Sequence, residues 1–287
     1  MELKAYAKLN LFLDIVGRRE DGYHLLQMIM QSVDLYDTVK IVPSEKLEVY
    51  CEKIDEKNNS AYKAAKLFFL KTGLKEQAKI IIEKHIPVEA GLGGGSADAA
   101  AALYGLNLLF GSPLSNEELL LMSIQIGADV PFSLTGGTCA AGGIGEKLLP
   151  VNNSLNAAYL IAKPKGGCST PQIFKMYDEH PNNSIDGAYN RALYAVKTGN
   201  IKTFCENAFN ALTPYACELL SDIHYILNKM KNTNGIKAAF MTGSGSACVG
   251  IFEDKKSALL AAEELKKLPQ TDFAGVYFAV RCGLEII

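Results

Sequence analysis

Residues 87–102 read PVEAGLGGGSADAAAA. Four glycines (Gly91, Gly93, Gly94, Gly95) fall within five positions, and Ser96, Asp98 and an alanine run follow. The alanines mark the start of a helix. A glycine run leaves consecutive backbone N–H groups unobstructed. The helix start adds unpaired donors and the positive end of its dipole. Together they suit an anion, and phosphate above all. A tight turn needing positive φ would explain one or two of these glycines, but not four ending at a serine.

Two familiar phosphate loops fail on the residues. A Walker A loop requires Lys and then Ser or Thr after its last glycine, whereas Gly95 is followed by Ser96 and Ala97. A dinucleotide fingerprint requires G-x-G-x-x-G, and Gly91, Gly93 and Ser96 end it in serine. Any lysine that the phosphates need must therefore come from elsewhere in the chain.

Working outward, Ala78–Lys84 reads as the strand that delivers the chain into the loop, and Ser96–Phe110 as the helix that leaves it. Asn59 or Ser60 is placed to cap an earlier helix that stops at Gly73. At the N-terminus, Leu3, Ala5, Ala7, Leu9, Leu11, Leu13 and Ile15 alternate with Lys4, Tyr6, Lys8, Asn10, Phe12, Asp14 and Val16. That period of two predicts a long, half-buried strand with Lys8 and Asn10 on one face. Periodicity leaves open whether Lys8 is a solvated strand lysine or a site residue.

The charged turn Gly17–Gly22 leads to Tyr23 and His24, a pair able either to hold a planar ligand or to act as a wedge with a polar tip. Separate strands are expected over 25–33, 34–42 and 47–51. Ser115 and Glu118 form a capping-box pattern for a helix ending near Ile126. Asp129, in GADVPFSLTGG (127–137), reads as a turn aspartate or a site residue. The polar stretch 151–156 marks a boundary, giving domains 1–153 and 154–287. Beyond it come a strand at 158–163, a helix from Pro171, two helices over 187–212, one long helix over 215–231 and a strand at 237–242. A glycine turn at 243–246, a strand at 247–252, a helix at 255–268 and a last strand at 273–281 complete the pattern. That order predicts a ferredoxin-like α+β half.

The chain has 287 residues, nearly half of them hydrophobic, and a formal charge of −2. This balance argues against a nucleic-acid scaffold or a membrane-surface protein. Seven cysteines without a C-x-x-C pair suit a reducing cytoplasm. The four histidines show no metal-ligand spacing. The expectation is a cytoplasmic protein with no signal segment and no membrane span.

Three stretches then stand together: AKLNLFLDIVGRREDGYH (7–24), PVEAGLGGGSADAAAAL (87–103) and MTGSGSACVG (241–250). The set resembles the three motifs of the GHMP small-molecule kinases. K-L-N with D-G-Y-H, and GADVPF (127–132), are most similar to the branch acting on a diphosphocytidyl-methylerythritol in non-mevalonate isoprenoid synthesis.

The resemblance implies a two-domain α+β GHMP kinase fold. Its N-terminal α/β half would be like ribosomal protein S5 domain 2, its C-terminal half ferredoxin-like, with the active site in the cleft between them. It implies ATP and Mg²⁺, a small-molecule substrate, and a monomer or homodimer. The implied ATP contacts are Pro87, Val88, Glu89, Ala90, Gly91, Leu92, Gly93, Gly94, Gly95, Ser96 and Ala97, with Asn59 near the adenine. Ser96 is also the implied Mg²⁺ contact. The implied catalytic pair is Lys8 and Asp129, and Tyr23, His24 and Phe174 would read a cytosine, with Tyr177 one turn later an alternative to Phe174. Asn10, Thr170, Gly243 and Ser244 would lie near the substrate.

Two departures from the family pattern stand out. Glu89 occupies a position that is usually small, and its carboxylate is expected to turn away from ATP. Asn210-Ala211-Leu212-Thr213 replaces a more acidic stretch, so residues 211 and 213 carry no implied role. Other GHMP kinases, acting on homoserine, mevalonate or a sugar, are the nearest alternative. A nucleotide-binding relative without catalysis would need neither Lys8 nor Asp129.

Overall fold

The computed structural model describes residues 1–52 and 54–287. Its first sheet is built on the hairpin of β1 (Glu2–Arg18) and β2 (His24–Pro43). β2 is one continuous strand where two were expected, because it has partners along its whole length. It pairs with β1 on one side. On the other it pairs first with β5 (Thr138–Gly142) and then with β4 (Ala78–Glu83). β3 (Glu48–Cys51) extends the sheet beyond β4, and β6 (Lys147–Pro150) pairs with β5.

Helices α1 (Ser60–Thr72) and α2 (Gly94–Leu109) cover this sheet, followed by α3 (Asn116–Ile124) and the short α4 (Val130–Thr135). The alanines of α2 explain its position. Ala99–Ala102 are fully buried, and a Cβ at Gly105 would lie 2.4 Å from Ile41 Cδ1. Small side chains let the helix axis approach the strands closely, so burial is achieved with little volume.

The second sheet has the order β10–β7–β9–β8, all antiparallel, from β7 (Ala158–Pro164), β8 (Ile236–Met241), β9 (Cys248–Phe252) and β10 (Thr271–Phe278). In chain order this is 4-1-3-2, the ferredoxin-like arrangement that the element pattern predicted. Between β7 and β8 run α5 (Thr170–Glu179), α6 (Ala188–Thr198), α7 (Ile201–Asn207), α8 (Thr213–Leu219) and α9 (Ser221–Lys231). α10 (Lys255–Lys266) joins β9 to β10. The long helix expected over 215–231 is therefore two, broken at Leu220, whose φ and ψ are extended.

The expected last strand ends early, at Phe278. The chain then returns to the first sheet, where β11 (Leu284–Ile286) pairs antiparallel with Leu3–Ala5 of β1. A division at 153/154 assigns the whole second sheet to one half but separates β11 from the sheet it completes.

β1 is not half-buried. Both its faces are covered from Ala5 to Ile15. Leu3, Ala5, Ala7, Leu9 and Leu11 join the core containing the α1 and α2 alanines. Phe12 belongs to the same core and packs against Tyr189 and Phe209 of the second half, while Leu13 and Ile15 join a second core with Met28, Met30 and Phe132. Alternation holds as far as Leu11 but fails past the register shift at Asn10/Phe12, since Leu13 and Ile15 leave the core that Leu11 joins. No local pattern shows that a second layer covers the polar face.

Candidate active site

The edge of β1 that faces away from β2 assembles the site. An unpaired strand edge presents N–H groups that must find acceptors. Tyr6 N–H donates to Gly283 O at 3.0 Å, Lys8 N–H to Leu92 O at 2.9 Å, Asn10 N–H to Thr242 Oγ1 at 2.8 Å, and Leu13 N–H to Phe209 O at 2.8 Å. Four distant segments are thus fixed along one strand. Register shifts at Tyr6/Ala7 and Asn10/Phe12 flank Lys8 and Asn10. Such bulges re-aim side chains beside functional sites.

The glycine loop is seated between β1 and the turn at 243–246. Gly93, with φ +71, caps α2, and a Cβ there would lie 2.8 Å from Lys8 Cγ. α2 begins at Gly94, two residues before its expected start. At Gly91, with φ +73, a Cβ would lie 2.4 Å from the Thr242 carbonyl oxygen. Ala247 N–H donates to Ala90 O at 3.0 Å, tying the loop to the second half.

Lys8 is buried, so it is not a solvated strand lysine. Its ammonium bonds Asn10 Oδ1 and stands 3.4 Å from Asp129 Oδ2. Asp129 sits at the N-cap of α4, an element absent from the expected pattern, yet its side chain makes no cap hydrogen bond. The carboxylate is turned toward Lys8 and not toward its own backbone.

A cleft of about 1110 Å³ runs between the halves. Lys8, Asn10, Tyr23, His24, Glu89, Gly91, Gly93, Ser96, Asp129, Thr170, Phe174, Gly243 and Ser244 all line it. Its far end is aromatic. His24 stacks on Phe174 with centroids 4.7 Å apart, while Tyr177 meets the ring edge-on at 6.0 Å. Tyr177 is buried, so of the two aromatics on this helix Phe174 presents surface to the cleft. Tyr23 is 60% exposed at the rim. Thr170 Oγ1 and Ser244 Oγ are 2.7 Å apart across the middle.

Asn59 lies off the cleft lining. It caps α1 by accepting from Ala61 N–H at 2.9 Å, and its Nδ2, 2% exposed as a residue, has no partner among the described residues. Its neighbour Ser60 Oγ comes within 3.5 Å of a Cβ placed on Gly95, so the start of α1 borders the loop. Glu89 differs in part from expectation. It has φ +54, and its carboxylate packs over Gly167 (Oε2 is 2.7 Å from a Cβ placed there), but it remains on the cleft wall.

Three groups with no motif of their own also shape the site. Asn210 is buried, and its Nδ2 donates to Met241 O at 2.7 Å and Gly243 O at 2.8 Å, bracing the second glycine turn. Asp178, one helical turn beyond Phe174, accepts from His24 at 2.6 Å and pairs with Arg18 at 3.3 Å. Its i+4 spacing from Phe174 was the available signal. Beneath the loop, Lys84 bridges Asp37 at 2.5 Å and Asp98 at 2.7 Å, all three buried. Asp37 also accepts from the His85 and Ile86 N–H groups at 2.6 and 2.8 Å. Burial alone would push the Lys84 ammonium down, but the two carboxylates outweigh it and hold it above its ordinary value. Burial pushes the Asp98 carboxyl up to about 7, against the pull of Lys84. Both ends of the glycine loop are therefore held by one buried triad.

The class follows from this fold and cleft. Residues 59–137 match the family described as GHMP kinases N terminal domain, and residues 192–270 match GHMP kinases C terminal. Over 276 residues the chain is 43% identical to 4-diphosphocytidyl-2-C-methyl-D-erythritol kinase of Caldicellulosiruptor saccharolyticus, covering 93% of each protein. It is 39% identical over 278 residues to the same-named protein of Clostridium kluyveri, covering 93% of this chain and 96% of that one. A crystal structure of 4-(cytidine 5'-diphospho)-2C-methyl-D-erythritol kinase has a TM-score of 0.82 at 32% identity, over 96% and 99% of the two chains. Homoserine kinase from Cytophaga hutchinsonii reaches 0.81 at 15% identity over 100% and 97%, a likeness of fold. The chain belongs to the GHMP kinases and, within them, to the 4-diphosphocytidyl-2-C-methyl-D-erythritol kinase family.

Proposed function

We propose that the cleft transfers the γ-phosphate of ATP to the 2-hydroxyl of 4-diphosphocytidyl-2-C-methyl-D-erythritol, with Lys8 and Asp129 as the reacting-centre pair. The observation that carries this reading is that Lys8, Asp129, Ser96 and His24 line one cleft.

The loop from Pro87 to Ala97 would hold the ATP phosphates through backbone N–H groups and the α2 dipole. Asp129 would take the proton of the substrate hydroxyl as its oxygen attacks the γ-phosphorus. The bond from that phosphorus to the bridging oxygen breaks, and the electron pair leaves with ADP. Lys8 would keep Asp129 oriented and offset charge building on the transferred group. A positioned base contributes roughly 10²–10⁴-fold in rate. Alignment of the two substrates supplies much of the remainder.

Among the described residues no cluster of acidic, histidine or cysteine side chains could hold a metal ion. Mg²⁺ keeps several waters and takes few protein ligands, so it needs no such cluster. Ser96, through its hydroxyl, would hold the ion on the phosphates, where it would offset their charge. Asn59, with its free donor, would approach the adenine.

The aromatic end explains the choice of acceptor. Tyr23 and Phe174 would flank a cytosine and His24 would meet its edge. A homoserine or mevalonate substrate has no base to place there. The proposed setting is the cytoplasm, as a monomer or homodimer, where a reducing environment would keep the cysteines free. Among the described residues no helix is long and apolar enough to cross a membrane. The test is ATP consumption with the cytidylyl substrate. No turnover by the unaltered protein would overturn the function, and full turnover by Asp129→Asn would overturn the mechanism.

A further inference from the structure

We propose that Asp178 sets the nucleobase preference of the cleft by holding His24 in the tautomer that leaves Nδ1 as an acceptor. This rests on the reading that His24 faces the base, and it makes Asp178 a positioning residue.

A carboxylate can only accept hydrogen bonds, and a neutral imidazole carries one N–H. His24 Nε2 lies 2.6 Å from Asp178 Oδ1, so the ring proton resides on Nε2. Nδ1 is then a lone pair, and it bonds none of the described residues. Asp178 is itself restrained, because Oδ2 pairs with Arg18 Nη1 at 3.3 Å. The ring cannot turn freely either. Phe174 stacks on it at an interplanar angle of 24°, and Tyr177 stands against its edge at 89°. Phe174 and Asp178 are four residues apart on α5. One helix face thus sets both the plane of the imidazole and the position of its proton.

The consequence is a choice between pyrimidines. Cytosine carries an exocyclic amine, a donor, where uracil carries a carbonyl, an acceptor. An Nδ1 lone pair accepts from the amine and repels the carbonyl. The opposite tautomer would reverse that preference. A site built to pair a polar group discriminates strongly against the analogue that leaves it unpaired.

The experiment compares CMP and UMP as competitors of the cytidylyl substrate in the unaltered protein and in Asp178→Asn and Asp178→Leu. The unaltered protein is expected to bind CMP more tightly than UMP by about tenfold or more. The asparagine amide can accept or donate and so tolerates both tautomers, and leucine enforces neither. Both variants are expected to narrow the CMP:UMP ratio toward unity while the KM for ATP stays unchanged. A ratio unchanged in folded Asp178→Asn would overturn the proposal, as would equal binding of the two nucleotides by the unaltered protein. Absence of competition by CMP in the unaltered protein would instead remove the base from His24 and overturn the underlying reading as well. The tautomer is also read directly, without any variant, from the nitrogen shifts of ¹⁵N-labelled histidine. A proton on Nε2 supports the proposal, and one on Nδ1 overturns it.

Discussion

The Lys8 ammonium stands 3.4 Å from the Asp129 carboxylate, although one residue lies mid-strand in β1 and the other at the cap of α4. Lys8 is almost wholly buried and Asp129 a third exposed, so the pair opens to the cleft from the Asp129 side. Removing either partner should leave ATP binding nearly intact while lowering kcat. For Asp129→Asn the expected loss is about 10²–10⁴-fold. Lys8→Met should lose at least as much and also melt at a lower temperature, since it leaves Asn10 Oδ1 buried without a donor. Steady-state kinetics with thermal denaturation checks both.

Gly91 and Gly111 offer a matched comparison. Both have positive φ, but a Cβ on Gly91 meets the Thr242 carbonyl at 2.4 Å, while one on Gly111 meets none of the described residues within 4 Å. Gly111→Ala should cost only the conformational strain, about 1 kcal/mol. Gly91→Ala must also displace backbone that cannot rotate away. It should cost several times more and separate the loop from the turn at 243–246. Urea unfolding of the two variants, and their KM for ATP, should diverge accordingly.

Phe174→Ala should weaken the cytidylyl substrate while sparing ATP. Base–aromatic stacking is worth about 1–3 kcal/mol, which corresponds to a rise in that substrate's KM of roughly 5- to 150-fold. An equal rise in the KM for ATP would contradict the assignment of the aromatic end to the base.

The buried triad predicts a pH dependence of stability. Burial holds the Asp98 carboxyl at about 7 in the folded protein, whereas in the unfolded chain it titrates near 4. Between those values the folded state retains a proton that the unfolded chain has released. Stability is therefore fully present below about pH 4 for this group and is lost as pH rises through 7. Asp98→Asn removes that titration and should flatten the slope of unfolding free energy against pH over this window by about one proton. An unchanged slope in denaturant titrations at pH 5, 6 and 7 would refute it. Lys84→Met should be far more damaging, by about 3–5 kcal/mol, because it strands Asp37 and Asp98 together.

The parts of this molecule that were legible in sequence are the local ones. The glycine loop, the capping box at Ser115 and the ferredoxin-like order of elements all depend on neighbours within one or two turns. Lys8 and Asn10 were legible as sharing a face, but not as buried, since their cover arrives from residues 92, 93 and 242. The pairing of Lys8 with Asp129 came through resemblance alone, because position left Asp129 open to a turn role. His24 and Asp178 lie 154 residues apart, and no period or motif connects them. Asp37, Lys84 and Asp98 look individually like surface charges. Their meeting depends on β2, β4 and α2 converging, which is a property of the packing and not of any stretch of chain.

The return of residues 283–286 to β1 also bears on how the protein is made. Tyr6 N–H and the pairing edge of Leu3–Ala5 wait for partners at residues 283–286, which are synthesised long after them. Until then the strand that carries Lys8 presents an open border, the kind of border on which nascent chains associate wrongly. A polypeptide lacking residues 283–286 would retain every catalytic side chain and still lack the seam that closes its first sheet. Synthesis and competence are therefore coupled: the active-site strand is sealed only when residues 283–286 have been delivered.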